Sequence, residues 1–229
     1  MKEIGIKALE VFMALNSRYE GLFTGMTNHA FHILGCGAIG SSAALQLARM
    51  GATNFQLYDY DTVEDVNIGV SQYINNDIGK KKVDALADHI IAIESIAKVV
   101  KNDGEFDTFN YQDQNDIVIL GFDSMKARMD AVKILCSNPI TIPKCIIDGR
   151  MGAEHYQQYV LTNPTVKKYE KVWYSDEAGD PEPCNAKATS YCSNMSGSFI
   201  ANAVRKYITN SPLNKDFSFN FPTMIMETM

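Results

Sequence analysis

Short apolar runs alternate with amphipathic stretches along most of this chain. Ala30-Phe-His-Ile-Leu34 is an apolar run ending in a glycine cluster, and Ser41 to Met50 follows with helical periodicity, which predicts strand, turn and helix. Phe55 to Tyr58 predicts a second strand and Asp59 to Gln72 a loop. A helix is expected from about Gly79 to Ile96, with Val83, Leu86, Ala87, Ile90 and Ile93 on one face. Lys98 to Val100, Ile117 to Leu120 and Cys145 to Ile147 predict further strands, with a helix over Lys126 to Leu135 between the last two.

Strands that alternate with helices imply a mostly parallel sheet, because parallel strands need a crossover to join them. The pattern changes after Gly149. Tyr156 to Leu161 predicts a strand of antiparallel sense, and Tyr174 to Lys187 is polar and rich in Asp, Glu, Pro and Gly, an exposed crossover loop and candidate lid. Ser193 to Tyr207 predicts a small-residue helix, and Asp216 to Phe221 alternates like an edge strand. Residues 1–28 space their apolar positions as a helix does. The expectation is one α/β domain over 1–229: an N-terminal helical segment 1–28, a nucleotide-binding core 29–148, and a partly antiparallel C-terminal part 149–229 with its crossover at about 174–190.

Composition narrows the chemistry. A net charge of −6 and a pI near 5.2 argue against a general nucleic-acid binder, which needs a basic face to neutralise phosphates. The five cysteines, Cys36, Cys136, Cys145, Cys184 and Cys192, are scattered and none are paired as C-x-x-C, so neither a disulfide framework nor a zinc ribbon is expected. The N-terminal residues lack a signal-peptide pattern, and no stretch approaches the roughly 18 to 20 apolar residues of a membrane span. A cytoplasmic location, without membrane or nucleic-acid partners, is the resulting expectation.

Gly35-Cys-Gly-Ala-Ile-Gly40 fits G-x-G-x-x-G between a strand and a helix. Glycines there permit a tight turn, and the amides of Gly37, Ala38, Ile39 and Gly40 at the helix N-terminus can meet phosphate oxygens. Asp59 ends the next strand, where a carboxylate binds a ribose hydroxyl. A Rossmann-like nucleotide fold with helices on both faces of the sheet follows, although this pair alone does not separate a dehydrogenase from an ATP user.

The next residues do. Asp59-Tyr-Asp-Thr-Val-Glu-Asp-Val-Asn67 resembles the D-x-D-x-V-x-x-x-N segment of the ThiF/MoeB/HesA and ubiquitin-activating-enzyme family, and Asp77-Ile-Gly-Lys-Lys-Lys-Val83 resembles its G-x-x-K-V segment. Ile117-Val-Ile-Leu-Gly-Phe-Asp123-Ser-Met-Lys-Ala-Arg128 resembles the family's strand ending in D-x-x-D-N-x-x-x-R. The resemblance spans about residues 18 to 207. It implies ATP and magnesium as cofactors, Asn67 and Lys82 on the phosphates, Asp59 and Asp61 on the ribose side, and Asp123 on the magnesium–ATP complex. It further implies a homodimer that adenylylates the C-terminal carboxylate of a small ubiquitin-like or sulfur-carrier protein. The chemistry is consistent, since in-line attack on an α-phosphate develops charge that a lysine and a metal can stabilise. Lys80, Lys81 and Lys82 at a helix start also oppose the helix dipole, a cost that an anion would offset.

Other roles stay open. Asp123 could instead cap the helix that begins near Ser124. Val70 stands where the family has an arginine, leaving Arg18, Arg128 and Arg150 as candidates to replace it; Arg18 resembles the family's N-terminal R-Y segment, whose arginine reaches the partner subunit's ATP site. The four-cysteine zinc site of the family is missing, so no structural zinc is expected, and the chain reads as a minimal module. Cys184 precedes the final helix as the family's transfer cysteine does, and is either an acyl or sulfur acceptor or an ordinary loop cysteine. His32, Cys36, Cys145 and Cys192 read as packed, and Trp173 and its neighbouring tyrosines receive no role. The rival functions are an NAD-dependent oxidoreductase, which has no use for Asn67, Lys82 and Asp123, and a non-catalytic protein-binding member of the fold.

Overall fold

Alternate residues of each central strand feed two different cores, one on either face of the sheet. In the computed structural model, which describes residues 18, 19, 21–178 and 188–229, strand β1 (Phe31–Leu34) sends Phe31 and Ile33 to one core and Leu34 to the other. Strand β4 (Ile117–Leu120) divides in the same way, Ile117 and Ile119 against Val118 and Leu120. Every residue of both strands is buried, which is why they read as unbroken apolar runs rather than alternating ones.

The remaining strands are β2 (Asn54–Tyr58), β3 (Lys98–Asn102), β5 (Cys145–Gly152), β6 (His155–Thr162), β7 (Asp216–Asn220) and β8 (Ile225–Thr228), in one 8-stranded sheet ordered β3-β2-β1-β4-β5-β6-β7-β8. From β3 to β5 all neighbours are parallel, and β5 through β8 are antiparallel. The expected α/β class, mostly parallel with an antiparallel extension, is therefore observed. The larger core is covered by α1 (Ala38–Arg49), α3 (Lys82–Ile93) and α6 (Ser190–Ile208), and the opposite one by α4 (Met125–Leu135). Two short helices, α2 (Asp65–Ile68) and α5 (Val166–Tyr169), sit in connections. No helix among the described residues is long and apolar enough to cross a membrane.

Three expectations are corrected. The strand at Asp216 is not the edge, because β8 pairs outside it; β8 is exposed at every position and so leaves no alternating signature. The helix expected from Gly79 begins at Lys82, since Gly79 has φ +88 and residues 79–82 instead pair with the preceding loop. The stretch from Asp59 to Gln72 also contains α2. Of the helical segment expected over residues 1–28, residues 1–17 and 20 lie outside the described residues; residues 18, 19, 21 and 22 are in turns and Met26–Asn28 forms a short 3-10 turn.

Small residues let α6 lie against α1. Ser193 Oγ donates to the Ala38 carbonyl at 3.0 Å and Ser42 Oγ to the Asn194 carbonyl at 3.3 Å. A Cβ on Gly197 would stand 2.2 Å from Ser42 Oγ and 2.6 Å from the Ser42 carbonyl carbon. Gly197→Ala is therefore expected to cost about 1–3 kcal/mol through overpacking. An unchanged urea midpoint would show that the helices can part without loss.

Glu94, which closes α3, is fully buried, and its Oε2 meets no partner among the described residues. Burial pushes its carboxyl above the ordinary glutamate value. The protonated form thus favours the folded chain, a contribution present below the ordinary pKa and lost as pH rises through the folded-state value. Glu94→Gln is expected to flatten the fall in melting temperature from about pH 4 to neutrality, and parallel pH profiles for the two proteins would contradict this.

Candidate functional site

Strand order reverses between β1 and β4, since β1 connects through α1 to β2 on one side while β3 crosses to β4 on the other. Such a reversal opens a crevice beyond the strand C-termini. The glycine loop leaves β1 there. Gly35 has φ +89, and a Cβ on it would lie 2.8 Å from the carbonyl carbon of Gly121, which follows β4; one on Gly40 would lie 1.9 Å from the Gly35 carbonyl oxygen. Backbone packing therefore demands the first and third glycines of the motif. Gly37 flanks α1 without a side-chain cap, and the N–H groups of Gly37, Ala38, Ile39 and Gly40 find no acceptor among the described residues, as the first turn of a helix leaves them.

Asp59 binds this loop to the acidic one. Its carboxylate accepts from the Cys36 N–H at 2.7 Å and from the Asp61 N–H at 2.8 Å. Burial raises the Asp59 pKa, and the nearby Lys82 charge and the two amides only partly offset this. Cys36 is fully buried, and burial followed by the Asp59 charge holds its thiol well above its ordinary value, so it is no nucleophile.

Lys82 is brought to the loop by backbone pairing. Val63 N–H donates to the Lys80 carbonyl at 2.8 Å, Gly79 N–H to Val63 at 2.9 Å, and Lys82 N–H to Asp61 at 3.0 Å, with Thr62 and Lys81 in an antiparallel bridge. The Lys82 Nζ then meets Asp61 Oδ2 at 2.6 Å. Burial works against its charge, but Asp61 and Asp59 outweigh it and the ammonium lies above its ordinary pKa. Lys80 pairs with Asp77 and Asp88, and Lys81 with Asp103, so internal carboxylates offset the unfavourable dipole. Asp61, expected with Asp59 on the ribose side, thus pairs with Lys82 while its N–H donates to Asp59.

Asp123 is exposed and makes no hydrogen bond among the described residues. It does not cap α4. Ser124 does, accepting from the Ala127 N–H at 3.2 Å, while Asp176 accepts from the Met125 N–H at 2.7 Å and the Lys126 N–H at 3.2 Å. Tyr60, 60% exposed, is raised above its ordinary pKa by the Asp61 charge first, then by partial burial and by Asp123, Asp59 and Glu105. Asn67 sits in α2, its Oδ1 accepting from the Glu64 N–H at 2.9 Å. That capping bond leaves its Nδ2 without a partner among the described residues. Val70 follows, half-buried, in the turn that ends α2.

Two of the arginines offered in place of the one missing at Val70 are committed elsewhere. Arg150 donates to Asp148 Oδ2 from Nε at 2.9 Å and Nη2 at 2.7 Å, and to the Val172 carbonyl at 2.8 Å; Arg128 donates to Asp148 Oδ1 and to the carbonyls of Leu120 and Phe122. Tyr169 completes the cluster, donating to Asp148 at 2.9 Å. Both arginines are correspondingly buried, and Arg128 ties the loop carrying Asp123 to the sheet. Arg18 lies exposed in a turn. Cys184 lies outside the described residues, and no metal-holding group of His, Cys, Asp and Glu occurs among them.

Asp148, Tyr73 and Asp176 were not singled out from the sequence. For Asp148 a signal existed: a carboxylate directly after the apolar run Cys145-Ile-Ile147 must find counter-charges when buried. Asp148→Asn leaves two buried guanidinium groups short of a partner and is expected to cost about 3–5 kcal/mol of stability. Chemical denaturation measures it, and a loss under about 1 kcal/mol would mean that water replaces the carboxylate.

The fold and glycine loop define a Rossmann-like nucleotide-binding class. The chain belongs to the ThiF family, whose model matches residues 23–229. Among curated proteins it is similar to ubiquitin-like modifier-activating enzyme 5 of Dictyostelium discoideum, 29% identical over 137 residues, which cover 60% of this chain and 32% of the relative. The Arabidopsis thaliana protein of the same name is 31% identical over 124 residues, covering 46% and 28%. This chain thus spans about a third of those relatives' length. Among solved structures, E. coli MccB with ATP superposes with a TM-score of 0.68 at 17% identity, covering 89% of this chain and 64% of that one. PaaA does so at 0.67 and 21%, covering 95% and 65%. At these identities the structures establish the shared fold.

Proposed function

We propose that this chain adenylylates the C-terminal carboxylate of a small ubiquitin-like or sulfur-carrier protein, or of a peptide, using ATP. The observation that carries the reading is the convergence, at the strand-order reversal, of four amides in the glycine loop that find no acceptor among the described residues with the Lys82 ammonium, which pairs with Asp61 of the acidic loop that Asp59 ties to the glycine loop. An oxidoreductase has no need of that ammonium. The relatives named as ubiquitin-like modifier-activating enzymes, and the structures of MccB with ATP and with MccA, support a nucleotide and a small polypeptide as substrates.

In this reading the amides of Gly37, Ala38, Ile39 and Gly40 and the Nδ2 of Asn67 bind phosphate oxygens, and Asp59 meets the ribose. The residues fit the group: the amides are uncommitted, and the close approach of Gly35, Gly40 and Gly121 keeps side chains out of the turn beneath them. The incoming carboxylate forms a bond to the α-phosphorus as the bond to the pyrophosphate oxygen breaks. Lys82 stabilises the charge that develops, moving from Asp61 to the phosphates. Asp123, exposed and without a protein partner, fits a magnesium ligand; bound there, magnesium supplies charge neutralisation on the phosphates. A homodimer in the cytoplasm, with Arg18 reaching the partner's site, and Cys184 as acceptor of the acyl group, its thiol displacing AMP from the acyl-adenylate to form a thioester, complete the proposal.

ATP–pyrophosphate exchange in the presence of candidate carrier proteins and peptides tests it. Lys82→Ala and Asp123→Ala are each expected to lower exchange by roughly 10²-fold or more with unchanged circular dichroism. Near-wild-type exchange in both variants would remove these residues from the site, and nicotinamide binding without ATP binding would favour the oxidoreductase.

A further inference from the structure

Tyr73 is 3% exposed and lies between the two halves of the site. Its hydroxyl donates to the Cys36 carbonyl at 2.6 Å and approaches the Lys82 carbonyl at 3.3 Å. The first oxygen belongs to the glycine loop and the second to the first residue of α3. A trans peptide points its C=O and N–H in opposite directions, so drawing the Cys36 carbonyl toward the buried phenol turns the Gly37 N–H away from it. The Cys36 N–H is held separately by Asp59 at 2.7 Å, and together these two bonds fix the peptide planes on both sides of Cys36. The same phenol keeps the start of the lysine helix against the loop.

We propose that Tyr73 is a positioning residue that aims the Gly37 amide at the nucleotide phosphates and sets the spacing between that amide and Lys82. The inference rests on the reading of the site as an ATP site. It predicts an effect confined to the phosphate end of the ligand, because nothing Tyr73 bonds to is assigned to the ribose or base.

The test compares ATP and adenosine binding to wild type and Tyr73→Phe by equilibrium dialysis with magnesium present. Expected is a loss of about tenfold or more in ATP affinity with adenosine affinity unchanged within about twofold. Equal loss for both ligands, or no loss for either, overturns the proposal and leaves the ATP reading intact, whereas failure of the wild type to bind ATP overturns the reading and the proposal with it. Where Tyr73→Phe does not accumulate as folded protein, 4-aminophenylalanine and 4-fluorophenylalanine at position 73 fill the same space with and without a donor. The amino variant is then expected to retain the wild-type ratio of ATP to adenosine affinity and the fluoro variant to lose it; identical ratios overturn the proposal.

Discussion

A side chain on Gly35 or Gly40 has nowhere to go, and the whole site is arranged around that exclusion. At the reversal of strand order, the segment leaving β1 presses against the segment leaving β4, close enough that a Cβ on Gly35 would meet the Gly121 backbone at 2.8 Å. The approach brings the chain carrying the glycine loop and the chain carrying Asp123 to one crevice. It also sets α1 so that its uncapped first turn faces outward from the sheet end, with amides that no protein group satisfies among the described residues.

Around that contact the structure distributes charge by burial. Asp148 is fully buried and binds two arginines and a tyrosine, so its charges are consumed in holding loops. Such a cluster is weak evidence of stability, yet losing any one member is costly, since the remaining charges would be stranded. Asp61 and Lys82 form the opposite kind of pair: the carboxylate is half-exposed, its side chain at 49%, and the ammonium is nearly buried at 10%. A partner that water can reach is one that a phosphate can displace without stranding a buried carboxylate. Asp123 is exposed as well, so it too lies where water and a ligand can reach it.

The parallel core was legible because fully buried strands read as apolar runs and the helices between them keep a 3.6-residue period. The glycine loop, Asp59 and the lysine segment were legible as spacing, since a motif of backbone constraints keeps its order in the sequence. Strand β8 was not, because four exposed residues carry no burial pattern. Nor was the cap of α4, where two neighbouring residues, Asp123 and Ser124, could each serve by type and the helix starts so that Ser124 stands at the N-cap with extended backbone.

What the sequence determined by itself was therefore local: the alternation of elements, the turn that only glycine can make, and the acidic and basic residues placed next to it in the chain. Tertiary structure decided the partners. Arg128, Arg150 and Asp148 come together from α4 and β5, and Tyr73 reaches a loop whose nearest contact, Cys36, lies 37 residues away. No composition or period encodes such meetings, because a long side chain in a folded interior takes whichever partner the packing leaves within about 3 Å, and burial makes that choice binding by withdrawing water as the alternative.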